Sequence, residues 1–261
     1  MRGREPASVS VWSSEADAGS MGLPSWRAVL RARPWRGRAG IAAGMAAAAA
    51  FGTLSYTWIT LPDVRHLRDD VPGETAFMAM RAREAEPEGR RPRQVRRWVP
   101  YSRISPLLVR AVVVTEDAAF WSHRGVDLHE IRASIASWWD EGGTIRGGST
   151  ITQQLAKNLY LSSSRNPYRK LRELLIARRL EAELSKRRIL ELYLNLIEWG
   201  DGIWGAEAAA RTYFGVPAAD LTAEQAALLA GAIINPRVYN PARPNRRLLQ
   251  RQAIILGRLG G

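Results

Sequence analysis

Residues 147–158 read Gly-Gly-Ser-Thr-Ile-Thr-Gln-Gln-Leu-Ala-Lys-Asn. Two glycines run into a capped helix, and the backbone N–H groups at such a start are free to meet an anion. Ser149 is expected to cap this helix, which should reach Leu161. Thr150, Gln154, Lys157 and Asn158 then fall at i, i+4, i+7 and i+8 on one face. That face is polar and carries a cation, which suits sugar hydroxyls or phosphates. The simpler alternative is a glycine hinge leading into a solvated face. The Gly-Lys-Ser/Thr ending of a nucleotide phosphate loop is missing.

Helix signals continue on both sides. Ser105-Pro106 is a cap followed by Pro at the first helical position, opening a run expected to extend through Ala119. Asp127 can cap a helix reaching Trp139, and 142–148 is expected as a loop. Asn166-Pro167 opens a long helix to about Leu184, and Ser185 begins the next, to Asn195. A turn over 200–205, a short helix over 207–214 and a Thr222-capped helix over 223–233 follow. A Pro-rich loop at 235–244 leads into a final helix. No stretch alternates convincingly as a strand. The fold class is mainly α.

The chain has 261 residues, 46% hydrophobic and 24% charged, which excludes a wholly disordered polypeptide. It has no cysteine, so disulfides, thiolate catalysis and Cys-based metal sites are excluded. Three histidines, His66, His123 and His129, argue against a His-rich metal centre. The formal charge of +13 invites a nucleic-acid reading, against which phosphate-bearing substrates and membrane surfaces compete. All basic residues are arginine except Lys157, Lys170 and Lys186. Three lysines clustered in an arginine-using chain mark positions that need a compact, mobile ammonium, unless chance put them together. Residues 145–190 hold 11 basic and 3 acidic side chains, a net of +8, whereas the remainder of 101–261 holds 11 and 12. One basic region therefore sits on a nearly neutral domain, and no helix-turn-helix, zinc-finger or RNA-recognition signature accompanies it.

Residues 1–38 are rich in Gly, Ser, Pro and Arg and read as a disordered, Arg-rich cytoplasmic tail. From 39 to 62 no residue is charged, a stretch long enough to cross a ~30 Å hydrocarbon core as one transmembrane helix. It is Ala- and Gly-rich, as a soluble helix could also be, but Tyr56 and Trp58 near its outer end favour a membrane interface. Arginines precede the span and Asp63 follows it, so the N-terminus is expected in the cytoplasm and the body outside. A cleaved signal peptide fits less well, because the uncharged stretch is too long and starts late. Residues 63–100 read as a polar connector and membrane-proximal segment, with an apolar docking patch at 75–81 and a charged, mobile stretch at 83–97. Residues 101–261 form the body.

Chemistry-bearing residues gather in that body. Glu116 follows the apolar run Ala111-Val112-Val113-Val114. Partial desolvation there would raise its pKa toward that of a useful base, whereas periodicity alone makes it a solvated helix-end carboxylate. Asp117, Phe120, His123 and Gly125 complete Glu-Asp-x-x-Phe-x-x-His-x-Gly; His123 by itself reads as a hydrogen-bonded loop histidine. Arg169, Lys170 and Glu173 lie at i, i+1 and i+4, where Arg169 and Glu173 can pair. Two carboxylates in opposed environments, one apolar and one hemmed by cations, are the usual division of acid and base at a glycosidic bond.

These residues together resemble the peptidoglycan glycosyltransferases, most closely the monofunctional biosynthetic peptidoglycan transglycosylases. Five blocks match in order: 116–125 (EDAAFWSHRG), 147–158 (GGSTITQQLAKN), 169–173 (RKLRE), 186–195 (KRRILELYLN) and 197–215 (IEWGDGIWGAEAAARTYFG). The likeness runs from about residue 62 to the end of the chain, and no penicillin-binding transpeptidase domain is expected. It departs in the long Arg-rich tail and the Ala-rich anchor. The resemblance implies a lysozyme-like helical domain with a membrane-facing subdomain, polymerising lipid II into β-1,4-linked glycan with release of undecaprenyl pyrophosphate. It implies Glu116 as the base, with Glu173 as second catalytic carboxylate and cation holder. Lys157, Arg169 and Lys170 would bind the pyrophosphate. Asp117, His123, Ser149, Thr150, Gln154 and Asn158 would line the substrate. It leaves open a divalent cation, Mg or Mn, near the pyrophosphate with Glu173 as its possible ligand. The implied partners are lipid II, the growing glycan strand, the lipid bilayer and other cell-wall synthesis proteins, with no nucleic acid. The implied place is the bacterial inner membrane, single-pass, with the catalytic domain on the periplasmic side. Glu191, Tyr193 and Asn195 read as core support and Lys186 as a surface cation. The alternatives are a lysozyme-like peptidoglycan hydrolase, which has no reason to gather so much positive charge, and a catalytically silent membrane-anchored scaffold.

Overall fold

A computed structural model of the chain describes residues 34–85, 93–127, 148–161, 164 and 166–260. Expectations for the tail up to residue 33, the helix of 127–139, the loop of 142–147 and the charged stretch of 86–92 fall mainly outside them. The chain divides into two units, one ending at Tyr56 and one beginning at Thr57. In the first, helix α1 (Pro34–Ile59) starts before the uncharged stretch and ends three residues short of its expected limit. Its segment Ala39–Ile59 is long and apolar enough to cross a membrane. Thr53 returns its hydroxyl to the Ala49 carbonyl at 2.8 Å, so the span carries no unpaired polar group there.

The second unit is mainly helical, and its elements begin where short polar side chains can cap them. After α2 (Ala76–Ala85) come α3 (Pro106–Glu116), α4 (Ile151–Tyr160), α5 (Pro167–Glu183), α6 (Lys186–Leu196), α7 (Ala206–Phe214), α8 (Ala223–Ala232) and α9 (Arg246–Gly260). Ser105 caps α3, Asn166 caps α5 and Ser185 caps α6, each accepting a backbone N–H of the first turn. Thr222 with Gln225 forms a full capping box on α8. The cap of α4 is Thr150 rather than Ser149, because Gln153 three residues on completes its box. Helix α3 stops at Glu116, three residues before the expected Ala119; Asp117 leaves helical geometry (φ −165°, ψ 75°) and turns its carboxylate inward.

Three short strands were not legible in the sequence. β1 (Val95–Arg96) pairs parallel with β3 (Ile203–Trp204), which pairs antiparallel with β2 (Glu198–Gly200). Two or three residues are too few for alternation to register. Gly202 makes the turn at φ +66°, and a Cβ there would overlap the Arg93 carbonyl while its own carbonyl accepts from Val95 N–H at 2.8 Å. The connector of 63–100 thus supplies elements of its own: Val64, Leu67 and Met78 are buried in the core.

Helix α6 runs through the middle, with Ile189, Leu190, Leu192, Tyr193, Leu194 and Leu196 all buried. Its charged residues gather at the N-terminal turn and at Glu191, and the apolar remainder has to be packed against other elements. Helices α4 and α5 pack with α6 and α2 packs on α4, while α3, α8 and α9 pack on one another. Asn195, a buried polar residue of α6, is spent on backbone: Oδ1 accepts Val99 N–H at 3.0 Å, and Nδ2 donates to the Val99 carbonyl at 2.9 Å and the Glu191 carbonyl at 2.8 Å. Glu191 accepts from Tyr101 N–H at 3.0 Å. Both hold the chain entering α3, as their core reading anticipated.

Arginine does much of the tying. Arg172 donates to the Thr60 hydroxyl and carbonyl, Arg179 to the carbonyls of Trp58, Leu61 and Pro62, and Arg188 to those of Leu67 and Asp70. A planar fork of donors holds two carbonyls in a fixed geometry, where an ammonium is a rotatable point charge. Asn195→Ala leaves a buried backbone donor and acceptor unpaired. It should cost about 2 kcal/mol and lower Tm by roughly 4–8 °C in a thermal melt.

Candidate active site

At the C-terminal end of α3 a cleft of about 520 Å³ opens, lined by Thr115, Glu116, His123, Ser149, Thr150 and Arg258 among others. One carboxylate organises it. Asp117 is buried, accepts from His123 Nε2 at 2.9 and 3.0 Å, and accepts Ile151 N–H at 2.9 Å. Gly125 N–H donates to His123 Nδ1 at 3.1 Å, so Nε2 is the nitrogen that carries the proton to Asp117. Gly125 sits at φ +82°, and a Cβ there would press on Ala177 and Glu181 of α5. The Thr150 hydroxyl donates to the Gly125 carbonyl at 2.8 Å. The loop after α3 is thereby fastened to the start of α4. Asp117, His123 and Thr150, expected among the substrate contacts, border the cleft with their polar atoms already committed to this fastening.

Glu116 is left facing the cleft. Gln154 Nε2 donates to its Oε2 at 2.9 Å, and Tyr193 donates to Gln154 Oε1 at 2.8 Å. Burial pushes the Glu116 carboxyl above its usual value, against the pull of Gln154 and Arg251 and with a small addition from Asp117. Its other oxygen takes no hydrogen bond from the described residues. Asn158 turns back to the Gln154 carbonyl at 2.9 Å and so supports the helix rather than the cleft.

The second carboxylate has the opposite surroundings. Glu173 is buried, pairs with Arg169 at 2.5 Å and also binds Lys170. Lys170 reaches Ser149 at 3.0 Å, and Ser149 lines the cleft. Lys157 stands by these groups with its ammonium 5.8 Å from the centre of the Phe77 ring. Burial pushes Lys157 below its usual value, and Arg169, Lys170 and Arg81 push it the same way while Glu173 resists. Three cations around one carboxylate form a receptacle for a further anion. Both Glu173 oxygens are taken, and among the described residues no three His, Asp or Glu side chains converge. With both oxygens of Glu173 engaged by cations, a divalent ion there would have to be held largely by phosphate oxygens. Lys186, read as a surface cation, is half-buried: it pairs with Glu181 at 2.7 Å and lies 4.4 Å from the centre of the Phe120 ring. Glu181 in turn accepts from Thr152 at 2.5 Å.

The transglycosylase family model matches residues 84–260. Proteins named biosynthetic peptidoglycan transglycosylase align over most of the chain. The one from Laribacter hongkongensis is 48% identical over 84% of this chain and 96% of its own length. That of Nitrosomonas eutropha is 47% identical over 80% and 86%, and that of Bordetella avium 50% identical over 72% and 80%.

A carboxyl whose folded value lies above its unfolded one costs stability once ionised. Glu116→Gln should therefore melt higher than the wild type at pH 8. The gap should close as pH falls into the ordinary carboxylate range, a trend read by melts across pH.

Proposed function

This chain belongs to the transglycosylase family and is a peptidoglycan glycosyltransferase, and from that premise we propose that it polymerises lipid II with Glu116 as the base. The observation that carries the reading is the pairing of two environments, Glu116 in the cleft and a cationic cluster that reaches the cleft wall through the Lys170–Ser149 contact. Glu116 is partly desolvated with one oxygen unbonded among the described residues, and Lys157, Arg169 and Lys170 crowd a buried Glu173 beside Ser149. In the reaction Glu116 takes the proton from the 4-hydroxyl of the acceptor GlcNAc as that oxygen attacks C1 of the donor MurNAc. The new β-1,4 bond forms with inversion, while the C1–O bond to undecaprenyl pyrophosphate breaks and the electron pair leaves with the phosphate.

Charge therefore develops at two places, and the site meets each differently. A base that is partly desolvated but still ionisable is matched to a sugar hydroxyl. Fixed cations already in place stabilise the departing pyrophosphate without reorganising. Glu173 acts here by holding Arg169 and Lys170 rather than by touching the sugar, and no step is assigned to a metal. The helix α1 would anchor the enzyme in the bacterial inner membrane, N-terminus inside and cleft outside, where a lipid-linked donor is presented.

Wild type should convert lipid II to polymer in detergent, and Glu116→Gln should make none. Release of muropeptides from cell wall without consumption of lipid II would overturn the reading in favour of a hydrolase. Lys157→Met should lower turnover by roughly 10²–10³-fold, as loss of an electrostatic transition-state contact does, with the acid limb of the pH profile unmoved. That limb, set by a carboxyl raised through burial, should lie above the ordinary glutamate value of 4.5, with activity lost as pH falls through it.

A further inference from the structure

Tyr193 read as core support, and its burial is complete. A buried phenol would serve the core as well with Phe in its place, yet this one ends in a hydroxyl aimed at the site. It donates to Gln154 Oε1 at 2.8 Å, and Gln154 Nε2 donates to Glu116 Oε2 at 2.9 Å. We propose that Tyr193 is a positioning residue for the reaction: its hydroxyl holds the Gln154 amide with the N–H₂ end turned to Glu116 Oε2, which fixes the carboxylate and leaves Oε1 for the acceptor hydroxyl. The proposal rests on Glu116 as the base.

The chemistry of the three groups sets the direction of the chain. An ionised carboxylate only accepts, so it takes the amide's donor end. The amide's acceptor end is then buried and needs a donor of its own. Tyr193 supplies it. Burial, with Glu116 and Asp117 nearby, holds the phenol well above its usual value, so it remains a hydroxyl at any working pH. Hydrogen bonds in series polarise one another, so the Tyr193 bond also strengthens the N–H···O⁻ bond that favours ionised Glu116. The other charged or titratable groups on this carboxylate are Asp117 beside it, His123 and Asp127 on the loop wall, and Arg251 and Arg258 from α9. Arg251 helps the ionised form and Asp117 opposes it. None of them replaces the donor that Gln154 Oε1 requires.

Tyr193→Phe removes one oxygen and keeps the ring. Its kcat should fall by up to about threefold on the acid side and recover toward pH 9, with the acid limb moved up by about half a pH unit and KM for lipid II unchanged. A profile superimposable on that of the wild type, whatever the loss of Tm, would reduce Tyr193 to a core residue. If the Phe variant fails to fold, Gln154→Met decides. An upward move of the limb supports the chain, and an unmoved limb overturns it. Where both fold, the double variant should move the limb no further than Gln154→Met alone, because the hydroxyl acts through the amide; additive shifts would contradict this. Polymer from Glu116→Gln would sink the base itself. A dead Glu116→Gln beside an unshifted Tyr193→Phe would sink only the role of Tyr193.

Discussion

The chain leaves its helix at Asp117 to bury a carboxylate against the first turn of another helix, and the cleft depends on that turn. Ile151 N–H and His123 Nε2 both donate to it. Burying a charge is unfavourable without compensating donors, so the loop, the ring and the helix start must arrive together. Their arrival places Glu116, the preceding residue, opposite Gln154. The position of Glu116 follows from its neighbour's need for partners. Gly125, pressed on α5 at positive φ, and Thr150, bonded to the Gly125 carbonyl, carry the same constraint to the cationic side.

The two glutamates of the site divide their work through their surroundings. Glu116 has a single neutral donor on one oxygen, and burial keeps its proton affinity high. Glu173, within α5, has a cation on each oxygen. The first keeps its proton more readily than an exposed carboxylate would; the second is held between two cations. Without Glu173, mutual repulsion would spread Lys157, Arg169 and Lys170 apart.

Much of this was legible in advance. Caps at Ser105, Asn166, Ser185 and Thr222 announced their helices, because a cap is a local interaction between a side chain and the next turn. Glu116 was marked by the apolar run before it, and Arg169–Glu173 by helical spacing. What escaped depended on contacts between distant segments. The strands at 95–96, 198–200 and 203–204 exist only as partners of one another. Thr150 displaced Ser149 as the cap because the Gln153 side chain folded back on it. Lys186 gave no sign of Glu181 or the Phe120 ring, and Tyr193 gave no sign of Gln154. A periodic pattern locates a buried face but not the polar atom at its edge.

The arginines of α5 and α6 change what the local excess of positive charge means in salt solution. Arg172, Arg179 and Arg188 are engaged with backbone carbonyls, and Lys186 is paired with Glu181. Bonds made at contact distance lie well inside a Debye length of about 10 Å at 0.1 M and feel ionic strength weakly. The smaller set around Glu173 would meet any anion arriving from outside across distances that ions do screen. One stretch of chain therefore carries two electrostatic systems with different salt sensitivity. Added salt would weaken the pull of that set on an anion well before it loosens the fold that holds the cations in place.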